Sequence, residues 1–482
     1  MSFSRNTVLK SFLWKLLERF SVQGITFVVS VVLARLLTPH DYGLIAVLMI
    51  FINIAGVFVD GGFASALIQK KDADNKDFST VFLICIVVSV VVYLLLFFGA
   101  PLISSFYENS DLTIILRVLS ISLLLDPINA MQVAYITKNL QFKNMFYSSM
   151  VAVVLSGTIG IVMAYNGFGV WSLVAQNIFS KIFTIIVMWF TVKWRPSFYY
   201  SKDRFKNLFG FGSKIFATNI IIRFFTSIRG LIIGKMYTPS MLALYDKGHA
   251  IPSMIRNNVN GTVQTVLFPV LSEAQDDLTE VKTKVRRSIK LVNFFLFPLF
   301  IGLFVVAEPL VNLLFTEKWS GAIPFVRIFC MAELLMSIQT VNLQAIISLG
   351  YSSITLKLES IKKVIEIVIL VISCFLGVYA IACGVVLYNI ICLFINLSPS
   401  KKLLNYPIVE QFRDVAPTFG ISLLMGLCVF IVGFLGNNMS YLPLLAIQVI
   451  VGAFSYLLFC KVFHLDIYTY IINMINELKK KK

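Results

Sequence analysis

Charge is what this sequence has least of. Only 13% of its residues are Asp, Glu, Lys or Arg, where a soluble chain carries about a quarter. With 58% hydrophobic residues and a mean hydropathy of +0.86, that shortage excludes an ordinary soluble domain. Cysteine is sparse too. Cys85, Cys330, Cys374, Cys383, Cys392, Cys428 and Cys460 lie inside apolar runs, without the paired spacing of a metal site or a disulfide framework. They read as small core residues. The sequence also lacks a nucleophile–base pair, a metal-ligand cluster and a Gly-rich phosphate loop, so no cofactor and no bound metal are expected. Acidic charge falls short of basic, leaving a net +17. The lysines and arginines are confined to short loops between apolar runs, where they set membrane topology. Nucleic acid is therefore not an expected partner; membrane lipid is.

What is abundant is apolar length. Residues 81–99, "VFLICIVVSVVVYLLLFFG", alone suffice to cross a hydrocarbon core of roughly 30 Å. Marking such runs predicts an all-α polytopic membrane protein with about fourteen spans. They fall near 12–36, 42–66, 79–100, 112–137, 143–165, 168–192, 207–234, 240–270, 284–306, 321–349, 354–377, 379–398, 414–436 and 440–463. The N-terminal "MSFSRNTVLK" is basic but leads into a polar-flecked run without a small-residue cleavage site, so it reads as a retained first helix. Charge tests the count. With both termini cytoplasmic, the inside loops collect Lys70, Lys71, Lys76, Lys138, Lys143, Lys193, Arg195, Lys202, Arg204 and Lys206 in the first half. The second half adds Lys282, Lys284, Arg286, Arg287, Lys357, Lys401, Lys402, Arg413 and the closing lysines 479–482. The outside loops hold little beyond Arg35, Lys235 and Lys318. The longest polar stretch, 272–290, reads as an amphipathic cytoplasmic connector.

One corner is written twice. "ARLLTPHDYG" (34–43) and "GKMYTPSMLA" (234–243) align Arg35 with Lys235, Thr38 with Thr238 and Pro39 with Pro239. Two unrelated helix-ending turns could also share Thr-Pro, because Pro commonly marks a turn. The matching basic residue and the even number of intervening helices favour two parallel repeats. The expected organisation is a lobe of helices 1–6 (residues 1–200), a lobe of helices 7–12 (201–402) and two further helices with a basic tail (403–482). A central cavity is expected between the lobes.

Intramembrane polar residues mark where such a cavity would be wet. A charge at a helix centre costs about 2.5–3.5 kcal/mol on insertion scales, so it should face protein or water. Helical spacing aligns His249, Ser253, Arg256, Asn260 and Gln264 on one face. It aligns Asn219, Arg223, Gly230 and Gly234 on a second, and Glu333, Ser337, Thr340, Gln344 and Ser348 on a third. The first half adds Lys15, Glu18 and Arg19, then Asp60, then Ser122, Asp126 and Asn129. Glu18 and Arg19 sit where snorkelling to an interface would suffice, Asp60 where a neighbouring helix could pair with it, and His249 where a satisfied polar residue is the simpler reading. Arg223 and Arg256 lie near mid-span. Arginine's planar fork suits phosphate oxygens, so these positions point to an anionic substrate. Nearby carboxylates are candidates for proton exchange.

The stretches "LARLLTPHDYGLIAV" (33–47), "DGGFASALIQKKD" (60–72) and "YDKGHAIPSMIRNNVNGTVQTVLFPVLSEAQ" (245–275) resemble the Wzx-type polysaccharide flippases. The likeness is to the lipopolysaccharide and teichuronic acid exporter branch of the multidrug/oligosaccharidyl-lipid/polysaccharide exporter superfamily. Its motifs cover about the first 280 residues, and beyond them it rests on topology. The resemblance implies translocation of undecaprenyl-pyrophosphate-linked oligosaccharide to the outer leaflet of a bacterial cell membrane. It further implies alternating access coupled to a cation or proton gradient, alongside other polysaccharide assembly proteins. From it comes the idea of a cationic lumen, placed here on Arg19, Arg223 and Arg256, with Asp60, Asp126 and Glu333 as coupling-ion candidates. A multidrug cation antiporter of the same superfamily and a lipid II flippase are the alternatives. An O-antigen polymerase or ligase would need a large external loop, and none is present in the expected topology.

Overall fold

The repeated corner is one piece of local chemistry used twice. Helix α1 (Arg5–Leu36) ends, Thr38 turns extended, and α2 (Pro39–Asp60) begins at the proline. The Thr38 hydroxyl accepts the Asp41 N–H at 3.3 Å, and the Asp41 carboxylate accepts the Thr38 N–H at 3.0 Å. Pro39 stands where a helix needs no N–H donor. At the second corner the Thr238 hydroxyl accepts the Met241 N–H at 3.2 Å, again just ahead of a helix starting at proline. Methionine there offers no reciprocal acceptor. This computed structural model describes residues 5–480. Residues 1–4 and, from the expected basic tail, Lys481 and Lys482 lie outside the described residues.

Several expected spans are broken. The run expected at 42–66 divides at Gly61 and Gly62, whose φ values are +55° and +72°, before α3 (Phe63–Gln69). A Cβ on Gly62 would lie 2.4 Å from the Gly212 carbonyl oxygen, so only glycine fits there. Helix α4 (Asn75–Tyr107) is followed by α5 (Asp111–Leu119) and α6 (Ser122–Lys138), which together make up the single span expected at 112–137, interrupted within. The interruption falls at Ser120–Ile121, and α6 runs on through Pro127. Next come α7 (Phe142–Tyr165), α8 (Val170–Thr191), α9 (Lys202–Met236), α10 (Pro239–Glu273) and α11 (Leu278–Val305). Helix α11 absorbs most of the connector expected at 272–290. Asp277 caps it, Glu280 and Lys284 pair at 2.8 Å, and Arg286 is gripped by Asp414 through two 2.7 Å bonds. Helix α12 (Ala307–Phe315) and a 3₁₀ turn (Glu317–Ala322) lead to α13 (Ile323–Glu333) and α14 (Met336–Ser348), again a broken pair. The chain closes with α15 (Ser352–Cys374), α16 (Val378–Leu404), α17 (Ile408–Leu435), α18 (Tyr441–Val462) and α19 (Asp466–Lys480).

Packing follows membrane rules. Helix α4 buries Ser79, Thr80, Ser89 and Ser104 while Leu95, Phe98 and Leu102 stand exposed. Helix α7 buries Ser148, Ala152, Ser156, Gly160 and Ala164, a small residue at every fourth position, and packs between α1 and α8. With no hydrophobic force between helices in lipid, small residues that let backbones approach take over the interface. Among the described residues, twelve stretches are long and apolar enough to cross a membrane. Two more long helices, α10 and α15, carry clusters of charge. The chain forms two compact units, one up to Ala243 and one from Leu244. Helix α9, expected to open the second lobe, packs on α2, α3 and α4 within the first unit.

Candidate functional site

Helices α2, α6, α8 and α9 of the first unit enclose a cavity of about 320 Å³. Each helix contributes polar side chains to it: Asn53 and Asp60, Ser122 and Asp126, Asn177 and Lys181, Asn219 and Arg223. The break after α2 places Asp60, whose carboxylate faces the N–H groups of Gly62 and Ala64 at the start of α3. On α6, Pro127 supplies no N–H for the preceding turn. Lys181 enters at that turn. Its ammonium lies 2.6 Å from Asp126 Oδ1 and 3.3 Å from the Ser122 carbonyl oxygen.

Three of the expected residues, Asp60, Asp126 and Arg223, therefore share one space. Lys181 was missed by the sequence reading, yet a signal existed: it is the single charge in α8, one turn beyond Asn177. The stripe expected on α9 divides in two. Asn219 and Arg223 line the cavity, whereas Gly230 and Gly234 seat α9 on Ile50 and Val47 of α2. Gly43 continues that seam, since a Cβ there would lie 2.0 Å from the Pro239 carbonyl oxygen.

The second unit holds a tighter cluster. Glu333 ends α13 at only 3% exposure. Its Oε1 accepts from Arg256 Nη1 at 2.9 Å and lies 3.9 Å from His249 Nε2, both on α10. Its Oε2 has no hydrogen-bond partner among the described residues. The polar stripe below Glu333 turns into protein rather than toward water. Ser337 donates to Asn293 at 2.7 Å, and the buried Thr340 and Ser348 donate to the Met336 and Ala345 carbonyls. Within the stripe below Glu333, only Gln344 is partly exposed. Off that stripe, the buried Asn342 bonds Gln411 at 2.9 Å and Ser400 at 2.6 Å. Arg19 stands elsewhere, exposed on α1 and outside the residues that line the first-unit cavity. Its neighbour Glu18 is buried, paired with Lys15 at 2.9 Å and accepting from Ser149 at 3.3 Å.

Chemically, the first-unit cavity offers two cations and two carboxylates in a weakly solvated wall. Such a set can exchange partners, since phosphate oxygens can replace the Asp126 carboxylate at Lys181 and can be gripped by Arg223 as well. A cation or proton can in turn replace an ammonium at Asp126. The Glu333–Arg256 pair is the same chemistry in a drier place.

The profile of the family described as polysaccharide biosynthesis protein matches residues 32–324. The chain is 25% identical over 402 residues to the lipopolysaccharide biosynthesis protein WzxC of Escherichia coli, covering 82% of this chain and 80% of that one. It is 25% identical over 411 residues to the teichuronic acid biosynthesis protein TuaB of Bacillus subtilis, covering 84% of each. Over 328 residues it is 24% identical to the succinoglycan biosynthesis transport protein ExoT of Rhizobium meliloti, covering 68% of this chain and 66% of that one. Among solved structures, the lipid II flippase MurJ shares the fold with a TM-score of 0.73 at 16% identity, over 94% of this chain and 99% of MurJ. A multidrug resistance MATE transporter of the MOP superfamily shares it at 0.61 and 14% identity, over 80% of this chain and 94% of the transporter. The chain belongs to the polysaccharide biosynthesis protein family and is a multi-pass membrane protein that shares the fold of those two transporters.

Proposed function

We propose that this transporter flips undecaprenyl-pyrophosphate-linked oligosaccharide from the inner to the outer leaflet of a bacterial cell membrane. The cargo would feed O-antigen, capsule or exopolysaccharide assembly, in concert with other assembly proteins. The observation that carries the reading is the first-unit cavity, where Lys181 and Arg223 meet Asp60 and Asp126. Arg223 presents a planar fork to phosphate, and Lys181 a compact ammonium. A phosphate oxygen that draws Lys181 away leaves Asp126 without its partner. A lone carboxylate in a low-dielectric wall must then be neutralised by a proton or small cation. Substrate entry and cation uptake are thereby one exchange, reversed on release. Glu333 and Arg256 form a second exchangeable pair, so Asp60, Asp126 and Glu333 stand as the coupling candidates. Arg19, Arg223 and Arg256, joined by Lys181, stand as the phosphate-binding ones.

Two further features support the reading. A groove of about 530 Å³ in the second unit, walled by Phe294, Pro298 and Leu299 opposite Met425, Gly452 and Leu457, has the apolar lining a polyprenyl tail requires. The relatives' names speak of lipopolysaccharide, teichuronic acid and succinoglycan. We read the topology as fourteen spans, with α10 and α15 completing the set and both ends cytoplasmic. The lobes are 1–200 and 201–402, followed by 403–482. The repeated Thr-Pro cap and the helix breaks at Ser120–Ile121 and just after Glu333 support duplication as parallel repeats.

The test is complementation of a flippase-null strain, with membrane abundance measured in parallel. Each lost charge-assisted hydrogen bond should cost roughly 1.5–3 kcal/mol. Lys181→Gln/Arg223→Gln should therefore abolish polysaccharide export at normal abundance, and Arg223→Lys should restore it only in part. Full export by the abundant double variant would overturn the proposal.

A further inference from the structure

We propose that the first unit also carries a binding site for the phosphodiester headgroup of an anionic phospholipid, separate from the transport cavity. It is a pocket of about 1050 Å³ at the end of the unit where α3, α6 and α8 all terminate. Lys70, Lys71, Lys138, Lys193 and Arg195 line it against two carboxylates, Asp72 and Asp74. Part of that charge has a structural explanation. Helix C-termini present unpaired carbonyls that attract cations. Lys138 donates to the carbonyls of Leu67 and Lys70, and Arg195 to those of Trp189, Val192 and Trp194. Lys70 is held by Asp77 at 2.8 Å. Lys71 and Lys193 remain, both exposed and, among the described residues, without an ion pair.

The surroundings of those two lysines select the ligand. The last turn of α8 exposes Phe190 largely, and the non-helical segment after it exposes Phe198 completely and Tyr200 by more than half. An amphipathic aromatic cluster beside lysines is the composition of a membrane–water interface. A free phosphate in solution has no use for Phe198, whereas a phospholipid has acyl chains beside its phosphate. Trp194 forms part of the wall at 4% exposure, and its indole N–H finds no acceptor among the described residues. Basic pockets between transmembrane helices at the headgroup level bind anionic lipids, each lysine near the surface contributing about 1 kcal/mol.

The test uses the full-length protein in two measurements. In the first, amine-reactive labelling followed by mass spectrometry is run in phosphatidylcholine vesicles, in vesicles of equal parts phosphatidylcholine and phosphatidylglycerol, and in phosphatidylcholine vesicles with added inorganic phosphate. Phosphatidylglycerol should protect Lys71 and Lys193, and the other two conditions should not. In the second, native mass spectrometry counts phosphatidylglycerol retained on the purified protein. Lys71→Gln/Lys193→Gln should lower it by roughly thirty-fold, the equivalent of two lysine contributions. The charge-matched Lys401→Gln/Lys402→Gln should leave it unchanged. Equal protection by inorganic phosphate would overturn the lipid assignment in favour of a soluble anion. Equal loss in the two double variants would reduce the site to general surface charge and overturn it as well.

Discussion

Asp126 and Glu333 each hold a cation within hydrogen-bond distance inside a helical bundle, 2.6 Å for Lys181 and 2.9 Å for Arg256. Their access to water differs. The Asp126 and Lys181 side chains are 25% and 30% exposed at the wall of a cavity, while the Glu333 side chain is 2% exposed. The difference is one of desolvation. A partly solvated pair can open at modest cost, because water or substrate takes up each charge as it separates. A carboxylate as buried as Glu333 resists opening even though its partner Arg256 is 25% exposed, since losing that partner strands it in low dielectric. The first unit thus holds a site ready for exchange. The second holds one that opens only when its surroundings rearrange.

Removing one partner from each pair gives the largest contrast. Arg256→Met leaves the buried Glu333 with only His249, at 3.9 Å, beside it and should destabilise the protein by about 3–5 kcal/mol. Thermal unfolding in detergent measures it. Glu333→Leu added to Arg256→Met should recover most of the loss, because no buried charge then remains. A single variant as stable as the parent would erase the distinction between the two units.

At the solvated site the stability effect should be small and the functional one large. Asp126→Asn should cost about 0.2–1 kcal/mol. Export by this variant should no longer respond to collapse of the proton gradient, measured by complementation with and without an uncoupler. An Asp126→Asn protein that exports normally and still responds would move the coupling role to Asp60 or Glu333.

The smallest predicted effect sharpens the comparison of the two corners. Thr38 has a reciprocal partner in Asp41, whereas Thr238 faces Met241. Met241→Asp places an acid in the first turn of α10 and should stabilise by about 0.3–1 kcal/mol, read as a rise in Tm. No rise would mean that the second corner is held by packing rather than by its cap.

Much of this was legible before any coordinates. Run length and charge placement predicted a helical membrane protein, and Thr38-Pro39 and Thr238-Pro239 announced helix starts through chemistry that spans four residues. The sequence also singled out Asp60, Asp126 and Arg223, because an intramembrane charge is conspicuous wherever it points. The single spans expected at 112–137 and 321–349 are present, but their internal breaks were not foreseen, because an apolar run does not reveal where its hydrogen-bond ladder is interrupted. Lys181, the single charge of α8, was equally conspicuous and was passed over; what the sequence could not show was its partner, since Asp126 lies 55 positions away.

What the sequence by itself determined is whatever depends on neighbours along the chain: which segments become helices, how they are capped, and which faces are small, polar or greasy. Those features follow from backbone hydrogen bonding and from the length of apolar runs needed to satisfy a bilayer. Only the tertiary structure decided that Lys181 reaches Asp126 and Arg256 reaches Glu333, residues separated by 55 and 77 positions. It alone set Gly43 against Pro239 and placed α9 with the first unit. Helices in lipid lack a hydrophobic force that would dictate their neighbours, so close packing of small residues and the pairing of buried charges choose among faces that the sequence leaves equivalent.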